Sequence, residues 1–222
     1  MLDLDNPDLA ARLSNRASVL RAQASGWKIP EAKSLSLRAT DIGEKTLGAE
    51  HPGHAAILTT RAWVLAAQVR AASILHGTLP EADSLCLRAI DIGEETLGPD
   101  HPDLAGWLND RAVLLEKLGN YAEAAPPSFL ATDMAERTLA PDHPRLSVLL
   151  SNRASLLEKQ GGYPQADSLY LRAIDIGERT LGTDHPDCAR WLVNRASLLQ
   201  KMGNTLRQTV CTFERSILER KR

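Results

Sequence analysis

Residues 143–182 read HPRLSVLLSNRASLLEKQGGYPQADSLYLRAIDIGERTLG, and they hold one full period of the chain. The stretch contains two amphipathic helical patterns, separated by a Gly-Gly-Tyr-Pro turn and closed by Leu-Gly. A His-Pro pair then opens the next period at residue 185. This succession of patterns predicts a helical hairpin that repeats along the chain.

A proline opens each of five repeats. The prolines are spaced by 45, 50, 42 and 42 residues, at Pro7, Pro52, Pro102, Pro144 and Pro186. The sequence therefore predicts five repeats, numbered 1 to 5 in chain order: 7–48, 52–98, 102–140, 144–182 and 186–222. An insertion at 69–76 separates the two helices of repeat 2 and is expected to lengthen the first of them. Repeat 5 is degenerate and is interpreted as a C-terminal cap.

Helix boundaries follow from proline and glycine. Proline is favoured in the first turn of a helix, and glycine just past its end, where positive φ is needed. Gly48, Gly98 and Gly182 should therefore end the second helices of their repeats. Pro126 and Pro127 stand in the second helix of repeat 3, and they predict that this helix starts late or bends.

Composition excludes several classes of function. Hydrophobic residues make up 43% of the chain and aromatic residues 4%, which suits helices packed through Ala and Leu. A net charge of −2 argues against binding to nucleic acid, and no apolar run is long enough to span a membrane. The first residues lack the features of a signal peptide, and the three cysteines lie far apart. A reducing, cytoplasmic location is expected.

Five residues of repeat 4 carry a resemblance to a known family: Gly161, Tyr163, Ala166, Tyr170 and Ala173. Their spacing resembles the second half of the tetratricopeptide (TPR) motif, although the period here is 42 residues rather than about 34. That longer form is similar to the repeats of kinesin light chains and to those attached to NB-ARC ATPase domains. The resemblance implies an all-α, right-handed superhelix of TPR hairpins.

The resemblance also implies a function and a site. TPR proteins bind a protein or peptide in a concave groove lined by the first helices, where carboxamides hold an extended peptide. Two alternatives keep the same fold: a kinesin light chain-like cargo-binding domain, and a ligand-sensing array of an NB-ARC signalling ATPase. A plain solvated face is the competing interpretation of the candidate groove residues, which are Asn15, Asn109, Asn152, Ser155, Lys159, Asn194 and Lys201. Asn109 belongs to a neighbouring polar column with Ser14, Thr59 and Ser151, and this column is assigned to the same face.

A column of arginines lies on the apolar side of the first helices, at Arg16, Arg61, Arg111, Arg153 and Arg195. An unpaired buried guanidinium would cost several kcal/mol, so each must be paired or reach water. Two interpretations stay open, namely a structural link between repeats and a row of cations facing a ligand. The column Asp41, Asp91, Asp133 and Asp175 lies on the far side of its own helix, so no partner follows from the sequence.

The remaining polar columns do not predict chemistry. His51, His101, His143 and His185 each occur once per repeat at a helix start, too far apart to share a metal ion, and capping explains them. No arrangement of nucleophile and base stands out from the repeat columns, and no phosphate-binding loop is present. We therefore expect no enzyme activity, cofactor, metal or small-molecule substrate.

Overall fold

The computed structural model describes residues 6–22, 28–72 and 79–220, with the backbone alone at 68–72, Leu79 and 204–220. Within these ranges the chain is helical and has no strand, which confirms the predicted all-α fold of helical hairpins. The described helices are α1 (Pro7–Ala22), α2 (Ile29–Leu47), α3 (Pro52–Ala72), α4 (Leu79–Leu97), α5 (Pro102–Lys117), α6 (Tyr121–Thr138), α7 (Pro144–Lys159), α8 (Tyr163–Leu181) and α9 (Pro186–Arg220).

The helices belong to two compact units, Met1–Thr138 with α1 to α6 and Leu139–Arg222 with α7 to α9. Within each unit, small core clusters join three consecutive helices rather than one central core. In the second unit, Ala154 of α7 packs with Ala166 and Tyr170 of α8 and with Leu198 of α9. In the first unit, Ala10, Ile42 and other residues join α1, α2 and α3 in the same way. Each helix is therefore stabilised chiefly by its neighbours in sequence.

The first helices begin as the sequence predicts, with a capping residue just before the proline. The Nδ1 atom of His101 accepts a hydrogen bond from the backbone N–H of Asp103 at 3.2 Å. Three further histidines do the same for the second residue after them: His51, His143 and His185. At α1 the side chain of Asn6 takes this role for Asp8, at 2.8 Å. The capping interpretation of the histidine column is confirmed, since each imidazole satisfies an otherwise unpaired helical donor.

Glycine serves two purposes in the second helices. Gly48, Gly98 and Gly182 follow the last residue of α2, α4 and α8 with φ between 85° and 92°, as predicted. Inside α8, Gly177 lets Trp191 of α9 approach so closely that an added Cβ would lie 2.3 Å from Cζ3 of the indole. Gly93 and Trp107 repeat this arrangement at the same distance. These contacts determine how closely a second helix packs against the next first helix.

The prediction that the second helix of repeat 3 starts late is wrong. Helix α6 begins at Tyr121 and continues through Pro126 and Pro127 to Thr138. The carbonyl groups that lose a donor to the prolines are those of Ala122 and Glu123, both on the exposed side of the first turn. Water can bond these carbonyls, so packing of the buried side of α6 outweighs the loss of two hydrogen bonds.

The insertion in repeat 2 is only partly within the described residues. Helix α3 extends to Ala72 and has 21 residues, compared with 16 in α1, α5 and α7. The predicted lengthening of this helix is therefore seen as far as Ala72, while residues 73–76 lie outside the described ranges. No described helix combines the length and the apolar character that crossing a bilayer requires.

Candidate functional site

The polar column proposed for the groove is accessible on the first helices. Asn15, Lys159 and Lys201 are exposed, and Asn109, Asn152, Ser155 and Asn194 are half-buried. Asn152 lies on α7 and Asn194 at the equivalent position of α9, two residues before Ala154 and Ala196. These two helices belong to one compact unit and share a core cluster. The structure therefore brings equivalent amides onto neighbouring helices in the second unit.

The neighbouring column of small hydroxyl residues does not belong to this face. Ser14, Thr59 and Ser151 are all buried, so their assignment to the polar face is wrong. Thr59 shows why burial costs little, because its hydroxyl donates to the carbonyl oxygen of Ala56, three residues earlier, at 2.9 Å. A hydroxyl that bonds within its own helix can face the core without an unsatisfied donor.

Lys201 is already paired within the protein. Its Nζ atom lies 2.5 Å from Oε1 of Glu158 on α7, and this hydrogen bond raises the pKa of the lysine. The carboxylate of Glu158 is only 9% exposed, and its other oxygen lies 3.5 Å from the hydroxyl of Tyr170 on α8. The three side chains connect α7, α8 and α9. A ligand carboxylate would have to share Lys201 with Glu158, whereas Lys159 lies exposed on α7.

Two of the column's arginines pair with an acidic residue of the preceding repeat. Arg111 of α5 binds Asp83 of α4 through Nε at 2.7 Å and a terminal nitrogen at 3.2 Å. Arg195 of α9 binds Asp167 of α8 at 2.7 Å. The hydrogen bond to Asp83 is the main reason that the pKa of Arg111 is raised. Both arginines therefore connect a first helix to the second helix before it.

Arg16 and Arg61 instead pair within their own repeats, with Glu31 at 3.0 Å and Glu81 at 2.7 Å. For Arg61 the reason is visible in the sequence, because Lys33 occupies the place in repeat 1 that Asp83 occupies in repeat 2. A lysine there cannot form an ion pair with Arg61, so Arg61 pairs with Glu81 of the same repeat. Arg153 is half-buried like Arg61. The acidic partners flank the first alanine of a second helix, with Glu31 and Glu81 before it and Asp83 and Asp167 after it, rather than standing at the Asp41 position.

The model of the tetratricopeptide repeat family matches residues 66–127 and 145–206 of this chain. The chain belongs to the tetratricopeptide repeat family. TPR folds are typically non-enzymatic, and they form repeat modules for protein interaction. A search of curated proteins finds no match for this TPR chain.

Solved structures of kinesin light chain-like repeat proteins are similar to this chain in fold. One is the kinesin light chain-like protein of Podosopora anserina, which has nearly identical TPR-like repeats. Its sequence is 22% identical to this chain, and the TM-score is 0.66. The match covers 88% of this chain and 89% of that one. A variant of that protein is also 22% identical, with a TM-score of 0.67 over 94% and 95% of the two chains. BtubC (BKLC) of P. vanneervenii is 16% identical, with a TM-score of 0.61 over 95% and 89%. These proteins share the fold of the TPR chain.

The first compact unit of the TPR chain holds a cationic cluster that the sequence did not predict. The guanidinium carbon of Arg21 lies 5.3 Å from the ring centroid of Trp63, and Nζ of Lys117 lies 4.6 Å from it. The three side chains come from α1, α3 and α5 and line a cavity of about 70 Å³ with Ala66, Ala67 and Leu118. Cation–π attraction explains why two like charges gather there. Trp63 stands at the position that serine occupies in three other first helices, as Ser18, Ser155 and Ser197, and this difference is visible in the sequence.

Proposed function

We propose that this TPR chain is an adaptor that binds an extended peptide on the first-helix face of its second compact unit. The observation that carries the proposal is the pair Asn152 and Asn194, half-buried amides at equivalent positions on α7 and α9. Each carboxamide offers both a donor and an acceptor, and an extended backbone presents complementary groups at regular intervals. Membership of a family of protein-interaction modules supports the same conclusion.

The charges beside these amides favour a peptide with an acidic residue or a free C-terminal carboxylate. Lys159 is exposed near the end of α7, and Ser155 lies between it and Asn152 on the same helix. Lys201 lies at the equivalent position of α9, with Glu158 as its partner. Lys159 is therefore proposed as the main electrostatic contact and Lys201 as a weaker one. Asn15 and Asn109 belong to the first compact unit and are proposed as a separate extension of the binding face.

The test begins with selection of a peptide ligand for the folded protein from a displayed peptide library. Replacing Asn152 and Asn194 together with alanine should weaken that peptide about ten- to a hundredfold, because each hydrogen bond to the backbone contributes about 1 kcal/mol or more. Ser168→Ala, an exposed change on α8, is the matched control and should leave affinity unchanged. Equal affinity of the double variant and the parent protein, with the melting temperature preserved, would place the ligand elsewhere.

A kinesin light chain-like cargo-binding domain is a second candidate, supported by the shared fold of the Podosopora anserina protein. It uses the same face and differs only in the partner. The alternative of a sensing array beside an NB-ARC ATPase stays a prediction. Cys86 and Cys188 are both free and buried, which supports the proposal of a reducing, cytoplasmic location.

A further inference from the structure

Helix α9 exposes apolar positions that are buried or half-buried in the other first helices. Leu199 is 43% exposed, whereas Leu65 and Leu115 at the equivalent positions of α3 and α5 are 3% and 2% exposed. Ala196 is exposed, and the alanines that correspond to it are all buried: Ala17, Ala62, Ala112 and Ala154. Leu192, on the same side of the helix, is 45% exposed. These residues form the open face of α9, defined as Leu192, Ala196 and Leu199.

In the complete repeats, this side of a first helix packs against the second helix of the same repeat. Ala154 of α7, for example, packs with Ala166 and Tyr170 of α8. In repeat 5, the residues in the place of a second helix instead continue α9 as far as Arg220. Because a helix rises 1.5 Å per residue, residues 204–220 extend about 25 Å beyond the open face. A continuous helix cannot cover its own side, so the segment in the same chain cannot fill this face.

The point where the chain would turn back is recognisable. Gly203 and Asn204 align with Gly119 and Asn120 of repeat 3 and with Gly161 and Gly162 of repeat 4. Gly119 and Gly161 have φ of 82° and end their helices. Gly203 lies inside α9, and a Cβ added to it would meet nothing within 4 Å in the described part of the chain. The position that forms a hairpin turn in repeats 3 and 4 is therefore part of an uninterrupted helix in repeat 5.

We propose that the open face of α9 is covered by residues 204–220 of a second copy of this chain, in a symmetric dimer that exchanges these segments. The sequence of the segment fits this role, because Leu206, Val210, Phe213 and Ile217 recur at the spacing of one helical face. In the order of the repeats, residues 204–220 also stand in the place of a second helix, which is the helix that covers this face in the complete repeats. Exchange of an identical element between protomers reproduces in the dimer the contacts that an intact hairpin would make. The proposal concerns self-association and goes beyond peptide binding.

Light scattering coupled to size exclusion, over roughly 1 to 100 µM protein, tests the proposal directly. The parent protein should form a dimer in a concentration-dependent manner. Leu199→Glu should be monomeric, because it places a charge in the exchanged contact. Leu171→Glu on α8 changes a leucine that is 45% exposed, outside the open face, and should leave the dimer intact. A parent protein that is monomeric throughout, or a Leu199→Glu variant that still dimerises, would overturn the proposal.

Substitution at Gly203 distinguishes exchange from a hairpin closed within one chain. Alanine favours a continuous helix over glycine by about fivefold, and α9 is already continuous through Gly203, so Gly203→Ala should leave the dimer at least as stable as that of the parent protein. In a closed hairpin the same residue would need positive φ, and alanine would lower stability without promoting dimers. Loss of stability with no gain in dimer would therefore show that the segment folds back on its own chain.

Complementation identifies the exchanged parts. A Leu199→Glu chain retains an intact segment 204–220, whereas a Phe213→Asp chain retains an intact open face. Each should be monomeric alone, and an equimolar mixture should form a heterodimer, detected by labelling one chain. Both variants should keep the circular dichroism of the parent protein, since the exchanged regions lie outside the core clusters of α7 and α8. A mixture that stays monomeric would contradict the exchange, and a Phe213→Asp chain that still dimerises alone would point instead to direct contact between two open faces.

Discussion

Arg111 and Asp83 join two consecutive repeats through two hydrogen bonds, Nε to Oδ1 at 2.7 Å and a terminal nitrogen to Oδ2 at 3.2 Å. The side chains are only 21% and 26% exposed, so water screens the pair less than it does an ion pair on the surface. The geometry is the two-pronged contact that arginine makes with carboxylates. The pair connects α4 and α5, and this supports the interpretation of the arginine column as a structural link between repeats.

Asp83→Ala should therefore lower the free energy of unfolding by about 1–3 kcal/mol, because it leaves the guanidinium of Arg111 partly buried without its carboxylate. Asp91→Ala is the control on the same helix. Asp91 is exposed and lies four residues from Glu95, so its removal should cost little or slightly increase stability. Denaturant unfolding measures both changes, and equal stabilities of the two variants would argue against a structural role for the pair.

Charge reversal at Glu95 should increase stability. In repeat 3 the corresponding residue, Arg137, pairs with Asp100 at 2.7 Å and with Asp133 at 3.1 Å. In repeat 2 the corresponding residue is Glu95, and the acidic residues Glu50 and Asp91 occupy the places of Asp100 and Asp133.

Glu95→Arg should recreate this ion-pair arrangement and raise the melting temperature slightly at low salt. Because the side chains are exposed, about 0.5 M salt should remove most of the increase. Glu95→Gln removes the repulsion from Glu50 and Asp91 without adding a positive charge, so it measures the relief of repulsion alone. An equal rise in melting temperature for Glu95→Gln and Glu95→Arg would mean that the new ion pairs contribute nothing.

The contact between Gly177 and Trp191 should be sensitive to a single methyl group. Gly177→Ala places Cβ 2.3 Å from the indole, and the strain should cost about 1–3 kcal/mol of stability. Trp191→Leu should also destabilise, by leaving a cavity.

The double variant, Gly177→Ala with Trp191→Leu, should lose less stability than the sum of the two, since the smaller side chain makes room for the methyl group. The chain itself has Ala135 and Leu149 at these positions in repeats 3 and 4. Thermal unfolding of the three variants gives the coupling energy. Additive losses would show that the two residues do not share one packing constraint.

His54 should make the stability of the protein depend on pH. The side chain is fully buried, and neither ring nitrogen has a hydrogen-bond partner among the residues that the structure describes. Burial is the main reason that its pKa is lowered from 6.5, with a smaller contribution from Arg88, while Glu44 and Glu50 oppose the shift. The unfolded chain therefore binds the proton more readily than the folded one. The contribution of neutral His54 to stability is complete above pH 6.5 and is lost progressively as the pH falls below that value.

His54→Leu should remove this dependence, and leucine is the residue at the equivalent positions Leu104 and Leu146. The measurement is the difference in unfolding free energy between variant and parent protein at pH 7.5 and pH 5. That difference should grow in favour of the variant at pH 5. A difference that is the same at both values would show that His54 does not titrate on unfolding.

Local features of this fold were readable from the sequence alone. The helix starts at His101-Pro102 and the ends at Gly48 and Gly182 depend on hydrogen bonds and φ angles within a few residues, so short motifs predict them. The apolar faces of α7 and α8 follow from helical periodicity in the same way. Repetition strengthens each of these predictions, because a signal seen in several repeats cannot be accidental.

The contacts of the long polar side chains were decided only by the tertiary structure. Arg111 pairs with a residue 28 positions away and Lys201 with one 43 positions away, and those distances depend on how neighbouring helices are rotated against each other. Helical periodicity specifies which side of a helix is buried, but it does not specify the side chain that a long, flexible arginine meets on the next helix. The same limit applied to Ser151, whose burial depends on a difference of one position around the helix.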